Sequence, residues 1–155
     1  VAEFADFGKK TSKKDLFKIA MCSPNVYVGS ICLGANNVQA IKTLTEAENH
    51  NGPSIVICYC PCIEHGIKGG MCNSINEEKL AVECGYTLLM RYKDNKLYLD
   101  SKEPNFDKYE DFLNNEVRYN ALKIKDNSLA KTLLDMQINN AKERYNYYNK
   151  IKSTD

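Results

Sequence analysis

Several features are missing or scarce in this 155-residue chain. No run approaches the roughly 20 apolar residues that a membrane span needs. No charged-then-apolar stretch opens the chain, so nothing there resembles a secretory leader. Neither charge is in excess: 21 Lys and Arg against 20 Asp and Glu leave a net charge of +1, too weak a field to draw in nucleic acid or anionic lipid. No C-x-x-C pair occurs, which removes the usual frame of a zinc site and of a thioredoxin-like redox centre. Both standard glycine-rich phosphate loops are absent, as are internal repeats and low-complexity tracts. An initiating Met is missing too, and a start at Val1-Ala2-Glu3-Phe4 gives the expectation of a fragment or processed product.

What is present describes a globular domain. Hydrophobic residues make up 43% and charged residues 26%, enough to build a core and to argue against disorder. The seven cysteines, at 22, 32, 58, 60, 62, 72 and 84, are odd in number and cannot all pair within the chain. Reduced thiols in a cytosol-like compartment are expected, with one or more free to serve as metal ligands.

Periodicity sets out the elements. Residues 1–11 read as a connection. Ser12 and Asp15 open a short helix with Leu16, Ile19 and Ala20 as its apolar face, and Ser23-Pro24-Asn25 ends it. Val26-Tyr27-Val28 is a brief β-type run. Gly34 to Asn37 turns into a helix with Val38, Ile41, Leu44 and Thr45 on one side. Ser54 to Cys60 is the clearest strand, apolar almost without break, as strands buried on both faces of a parallel sheet are. Pro61 stops it. Ser74-Ile75-Asn76-Glu77 has capping-box spacing and opens a helix to about Cys84. Thr87 to Tyr92 predicts a strand, Asp94-Asn95 a turn, and Lys96 to Asp100 a further extended piece. A helix after Pro104 carries Phe106, Tyr109, Leu113 and Val117. The last, capped by residues 126–128, runs to about 150 with Leu134, Ile138, Ala141, Tyr145 and Tyr148 as its apolar face. The alternation predicts an α/β fold, a mostly parallel sheet flanked by helices with a helical C-terminal segment.

Cys58, Cys60 and Cys62 alternate, so on an extended strand all three thiols share a side. Cys58 and Cys60 read as strand packing, because cysteine buries readily. Cys62 lies past Pro61 at the mouth of a loop with Gly66, Gly69 and Gly70, and in open α/β sheets ligands bind beyond the carboxyl ends of the strands. It is the candidate metal-ligating residue. Cys62, His65 and Cys72 form a nonstandard zinc triad, and Cys62 with His65 a conceivable nucleophile pair without any sign of an acyl site. His50 reads as a surface residue in a polar turn. Lys9, Lys10, Lys13 and Lys14 read first as a solvated basic turn and second as phosphate contacts.

The stretch Gly52 to Ile67 resembles the pyruvate:ferredoxin (flavodoxin) oxidoreductase family, and other pieces match it in the same order: Lys13-Lys14-Asp15-Leu16, Ala20-Met21, Val26-Tyr27-Val28, Gly34-Ala35-Asn36, Glu46-Ala47-Glu48, Leu99 to Pro104 and Glu116-Val117-Arg118-Tyr119. The resemblance covers nearly the whole chain. It implies part of a thiamine diphosphate-binding domain, with residues 1–125 its C-terminal half and 126–155 a C-terminal helix. It implies an enzyme, expected to be inactive as this piece alone, that decarboxylates pyruvate on thiamine diphosphate with Mg2+ and passes electrons through [4Fe-4S] clusters to ferredoxin, flavodoxin or a fused NADP reductase domain. Acetyl-CoA forms from coenzyme A. A homodimer in the cytoplasm, or in an organelle such as a hydrogenosome, is the expected whole. The position matching Cys62 is a family cluster ligand. The other ligands and the thiamine-contacting residues are expected upstream. The family's usual string has small residues where Cys58 and Cys60 stand. Against this reading stand a self-contained α/β binding module and a zinc module.

Overall fold

The computed structural model describes residues 11–153, so the connection expected over 1–11 and the pair Lys9 and Lys10 lie outside the described residues, residue 11 excepted. The elements follow as α1 (Leu16–Met21), β1 (Tyr27–Ile31), α2 (Asn37–Glu48), β2 (Ser54–Cys58), α3 (Ser74–Glu83), β3 (Met90–Lys93), β4 (Lys96–Leu99), α4 (Tyr109–Asn115), α5 (Val117–Lys125) and α6 (Asn127–Ile151). Three-residue helical turns precede α3 and α4.

The fold is α/β, with helices flanking one four-stranded sheet in the order β2-β1-β3-β4. The sheet is mixed rather than mostly parallel. β1 and β2 run parallel, in register from Tyr27 opposite Ser54 to Ile31 opposite Cys58, whereas β3 is antiparallel to both β1 and β4. For the β3–β4 pair the reason is local. Asp94 and Asn95 both take positive φ, 51° and 59°, the geometry of a two-residue hairpin turn, and a hairpin makes antiparallel neighbours.

Strand burial also departs from expectation. β1 is central and buried at every position. β2, read as doubly buried, is an edge strand with Ser54, Ile55 and Cys58 exposed, and it ends at Cys58, two residues early. The helix faces explain what the edge means. On α2 the buried residues are Gln39, Ala40 and Thr43, while Val38, Ile41 and Leu44 point outward at 72%, 63% and 48% exposure. On α1, Phe17 and Ala20 are buried, and Leu16 and Ile19 face out. The periodicities are real helix periodicities, but in both helices much of the apolar stripe has no cover among the described residues.

Two clusters make the core. One joins α3, α4, α5 and α6 through Ala81, Cys84, Phe112, Leu122 and Leu133. The other lies against the sheet, where Phe17, Val28, Met90 and Leu97 meet Tyr148 near the end of α6. The helix expected after Pro104 is broken at Glu116, whose backbone is extended (φ −80°, ψ 116°), and Val117 therefore points outward at 47% exposure. α6 is capped as its sequence predicts, with Asp126 accepting from the Leu129 N–H. The capping box at α3 does not form: Asn73 is the cap residue, no side chain closes it, and Glu77 turns inward.

Candidate functional site

The parallel pair places its two carboxyl ends side by side. β1 ends at Ile31 and leads into Cys32, and β2 ends at Cys58 and leads into the loop that carries Cys60 and Cys62. The register continues one step further, since the Tyr59 N–H donates to the Ile31 carbonyl at 3.0 Å.

Three packed side chains fix the loop. Half-buried Tyr59 packs edge-on to Tyr86 and Phe112, with ring centroids 5.6 and 6.4 Å away. Pro61 and Ile67 are buried. Ile67 forms a bridge to Glu116, the Lys68 N–H donates to the Asn115 carbonyl at 2.8 Å, and the Val117 N–H reaches the Gly66 carbonyl. The extended break between α4 and α5 thus serves as a strand-like rail for the loop. Between these anchors the chain makes a tight turn in which the Cys62 carbonyl accepts from both His65 and Gly66 N–H groups. Gly66 closes that turn at φ +73°, a conformation that costs a residue with a Cβ about 1 kcal/mol or more.

This scaffold leaves Cys62 exposed on the outside of the turn. Cys58 and Cys60, expected to pack, are exposed too, because β2 lies at an edge. Cys72 is also exposed, whereas Cys32 and Cys84 are buried. Among the described residues, no three His, Cys, Asp or Glu side chains converge as a metal would require, so Cys62, His65 and Cys72 do not assemble a zinc triad. An iron–sulfur cluster at Cys62 fits this chain only as a one-ligand contribution from an exposed thiol.

Charged groups sit directly beneath the loop. The Glu78 carboxylate accepts from the Gly34 N–H at 2.6 Å and from the Cys32 thiol at 3.4 Å, tying the end of β1 to α3. Burial, with Glu78 alongside, pushes the Cys32 thiol up to about 12, so it stays protonated. Glu77 is 2% exposed; one oxygen accepts from Asn115 at 2.9 Å and the other meets no donor. Burial raises its pKa to about 7, and the nearby Glu116, itself raised by burial, adds to that. Sequence reasoning assigned Glu77 to a cap. No signal in the sequence sets a buried glutamate apart from a capping one, since both stand in the first turn of a helix. His50 lies at the opposite end of the sheet from this loop, near Tyr27 and the Asn25 carbonyl.

The resemblance pieces meet in space elsewhere. Arg91 of β3 is 6% exposed and holds Asp100 and Glu46, Glu46 accepts from the Tyr27 hydroxyl at 3.0 Å, and Gln39 donates to Asp100 at 3.0 Å. This is a structural network on the face of the sheet covered by α2.

Comparison with known proteins agrees with that collinearity. No family model matches the chain. It is 41% identical over 158 aligned residues to a pyruvate-flavodoxin oxidoreductase of Klebsiella pneumoniae and 43% identical over 158 to a pyruvate:ferredoxin oxidoreductase of Moorella thermoacetica, in each case across 97% of this chain and 13% of the relative. A mitochondrial pyruvate dehydrogenase [NADP(+)] of Euglena gracilis is 38% identical across 97% of this chain and 9% of its own length. The chain thus spans about one eighth of the length of the first two relatives. Over that span the chain belongs to the pyruvate:ferredoxin (flavodoxin) oxidoreductase family.

Proposed function

We propose that this chain is one segment of a longer pyruvate oxidoreductase, which oxidatively decarboxylates pyruvate with coenzyme A to acetyl-CoA and carbon dioxide. The observation that carries this is the similarity along 97% of the chain to proteins named for that activity. Ferredoxin or flavodoxin is the electron acceptor in this reading, with a homodimer as the working unit in the cytoplasm or an organelle.

Within that enzyme the role of this segment is to present Cys62. A thiolate there is one donor to a [4Fe-4S] cluster, which supplies one-electron transfer, and the remaining donors come from chain outside this segment. Thiamine diphosphate and Mg2+ belong to that outer chain as well. Three features support the assignment: Cys62 is exposed, it stands beyond the carboxyl end of a parallel pair, and Tyr59, Pro61 and Ile67 anchor its loop from beneath. The uncovered faces of α1, α2 and β2 support a partner segment of the same longer polypeptide, since Ile41 and Leu44 on α2, and Ile55 on the other face of the sheet, are large apolar side chains left exposed.

The test uses the longer polypeptide. Cys62→Ser is expected to lose one cluster's share of iron and sulfide and to stop electron delivery to the acceptor, while Cys58→Ser and Cys60→Ser retain both. Full iron content and undiminished turnover in Cys62→Ser would refute the assignment. The exposed position of the thiol means that a loss of iron cannot be put down to a broken core.

A further inference from the structure

A second site lies where α6 crosses the segment leading into α1. Gln137, Asn140, Ala141 and Arg144 follow one another at helical spacing and so form one stripe of α6. A buried helix stripe is ordinarily apolar; this one is polar. It forms the floor of a cavity of about 330 Å3, with Lys13, Lys14 and Lys18 around its mouth.

The hydrogen-bond inventory of that floor is one-sided. Gln137 is 6% exposed and its Nε2 meets no acceptor, and the same is true of buried Asn140 Nδ2 and buried Arg144 Nε. All three unmet groups are donors. Their partners on the other side are in place: Asn140 Oδ1 accepts from the Ser12 hydroxyl at 3.2 Å, and Arg144 Nη2 donates to the Gly85 and Tyr86 carbonyls at 2.7 Å each. The guanidinium is therefore fixed in position with its Nε unused. A buried donor left unmet is costly, so three on one stripe point to an acceptor that completes them.

Charge selects the acceptor. Lys13, Lys14, Lys18 and Arg144 face two acids, Asp15 and Glu143. Asp15 is already engaged, accepting from the Tyr148 hydroxyl at 2.7 Å and the Lys18 N–H at 3.1 Å. Lys13 and Lys18 lie over the rings of Tyr86 and Tyr147, each 4.1 Å from the centroid, which holds them at the rim. An oxyanion offers lone pairs in several directions and no hydrogens, so it suits a donor-only floor under a cationic rim better than water does.

We propose that this cavity is a binding site for an oxyanion, the phosphate or carboxylate group of a small ligand, held by Gln137, Asn140 and Arg144 from below and Lys14 from above. The site shares no residue with the Cys62 loop and stands or falls separately from the proposed oxidoreductase role.

The test is a titration of the 15N-labelled chain with inorganic phosphate, pyrophosphate and acetate at fixed ionic strength, following the side-chain amide signals of Gln137 and Asn140 and the Arg144 Nε–H. Saturable movement of these signals is expected. Saturation by phosphate or pyrophosphate alone identifies the phosphate group as the source, and by acetate alone the carboxylate. Lys14→Gln, an exposed change, is expected to weaken binding about three- to tenfold. Gln137→Glu, which sets a like charge in the floor, is expected to abolish it; Gln137→Leu serves as the second variant, removing the donor without adding charge. Signals unmoved up to about 10 mM of all three anions, or saturation that survives both Gln137 variants, would overturn the proposal.

Discussion

Arg91 and Asp100 form a two-pronged ion pair, with Nε–Oδ2 and Nη2–Oδ1 both at 2.8 Å, across the β3–β4 hairpin on the α2 side of the sheet. The same guanidinium donates through Nη1 to both Glu46 oxygens at 2.9 and 3.0 Å, so one cation joins hairpin, sheet and α2. Two parallel N–H donors match a carboxylate in a way that an ammonium cannot.

Arg91→Lys is therefore expected to destabilise the fold despite keeping its charge, and Arg91→Ala to cost about 3 kcal/mol by taking the shared cation from two half-buried carboxylates, leaving Asp100 only the Gln39 amide and Glu46 only Lys93 and Tyr27. Urea unfolding monitored by far-UV circular dichroism measures both. Equal stability of Arg91→Lys and the parent would show that charge alone suffices.

The network also sets an acid limb. Burial works to raise the Glu46 pKa, but hydrogen bonds from Arg91, Lys93 and Tyr27 outweigh it and leave it below the usual value. A lowered folded-state pKa stabilises above the unfolded value and is lost as pH falls through the folded one. Glu46→Gln is expected to reduce stability at pH 7 and to flatten its fall below about pH 4.5.

Glu77 gives the opposite slope. Its pKa rises from 4.5 to about 7 on folding, chiefly by burial. A raised carboxyl contributes stability that is full below pH 4.5 and lost as pH climbs through about 7. Glu77→Gln keeps an oxygen to accept from Asn115 and cannot ionise. It is expected to be more stable than the parent at pH 8 by about 1–3 kcal/mol, with little difference at pH 4.5. Thermal melts at the two pH values decide it, and a larger gap at pH 4.5 than at pH 8 would contradict the assignment.

Gly29 sits where α2 crosses β1, and a Cβ built there runs into Thr43 Cγ2, a side chain with no exposure. Gly29→Ala is expected to cost about 1–3 kcal/mol through overpacking. Thr43→Ser removes the obstructing methyl, so the double variant should recover part of that loss. A purely additive cycle in equilibrium unfolding would rule out the steric account.

The α2 stripe offers a test of cover. Ile41→Lys with Leu44→Lys is expected to lower self-association of this chain in light scattering while moving its unfolding midpoint little, since both residues are already exposed. In the longer polypeptide the same pair is expected to destabilise. Greater association in the lysine variant would count against an uncovered docking face.

The strengths and failures of sequence reading have physical sources. Periodicity located α2 and α6, and Asn36 and Asp126 cap them as short polar residues should. Direction of burial was not legible. The stripe of Val38, Ile41 and Leu44 marks a buried helix face by pattern, yet a pattern cannot say whether its cover lies within the same stretch of chain. Ser54 to Cys60 read as a strand buried on both faces for the same reason. The parallel sheet was overestimated because Thr87 to Tyr92 carries no signal of its direction against β1; Asp94-Asn95, with its positive φ values, orients only β4 against β3. The exposed loop position of Cys62 was legible because proline and glycines bracket it. Gln137, Asn140 and Arg144 were not, since polar residues on a long helix ordinarily face water.

At six residues, α1 is too short to persist on its own, because the cost of starting a helix exceeds what one turn returns. Its Asp15 cap is gripped by Tyr148, 133 positions later, and its Phe17 ring meets the same tyrosine edge-on at 5.8 Å. A single phenol thus fastens the two extremities of the folded region like a clasp. Transient fraying of the final turns of α6 should release α1 with it, so amide exchange in these distant stretches is tied to one opening event.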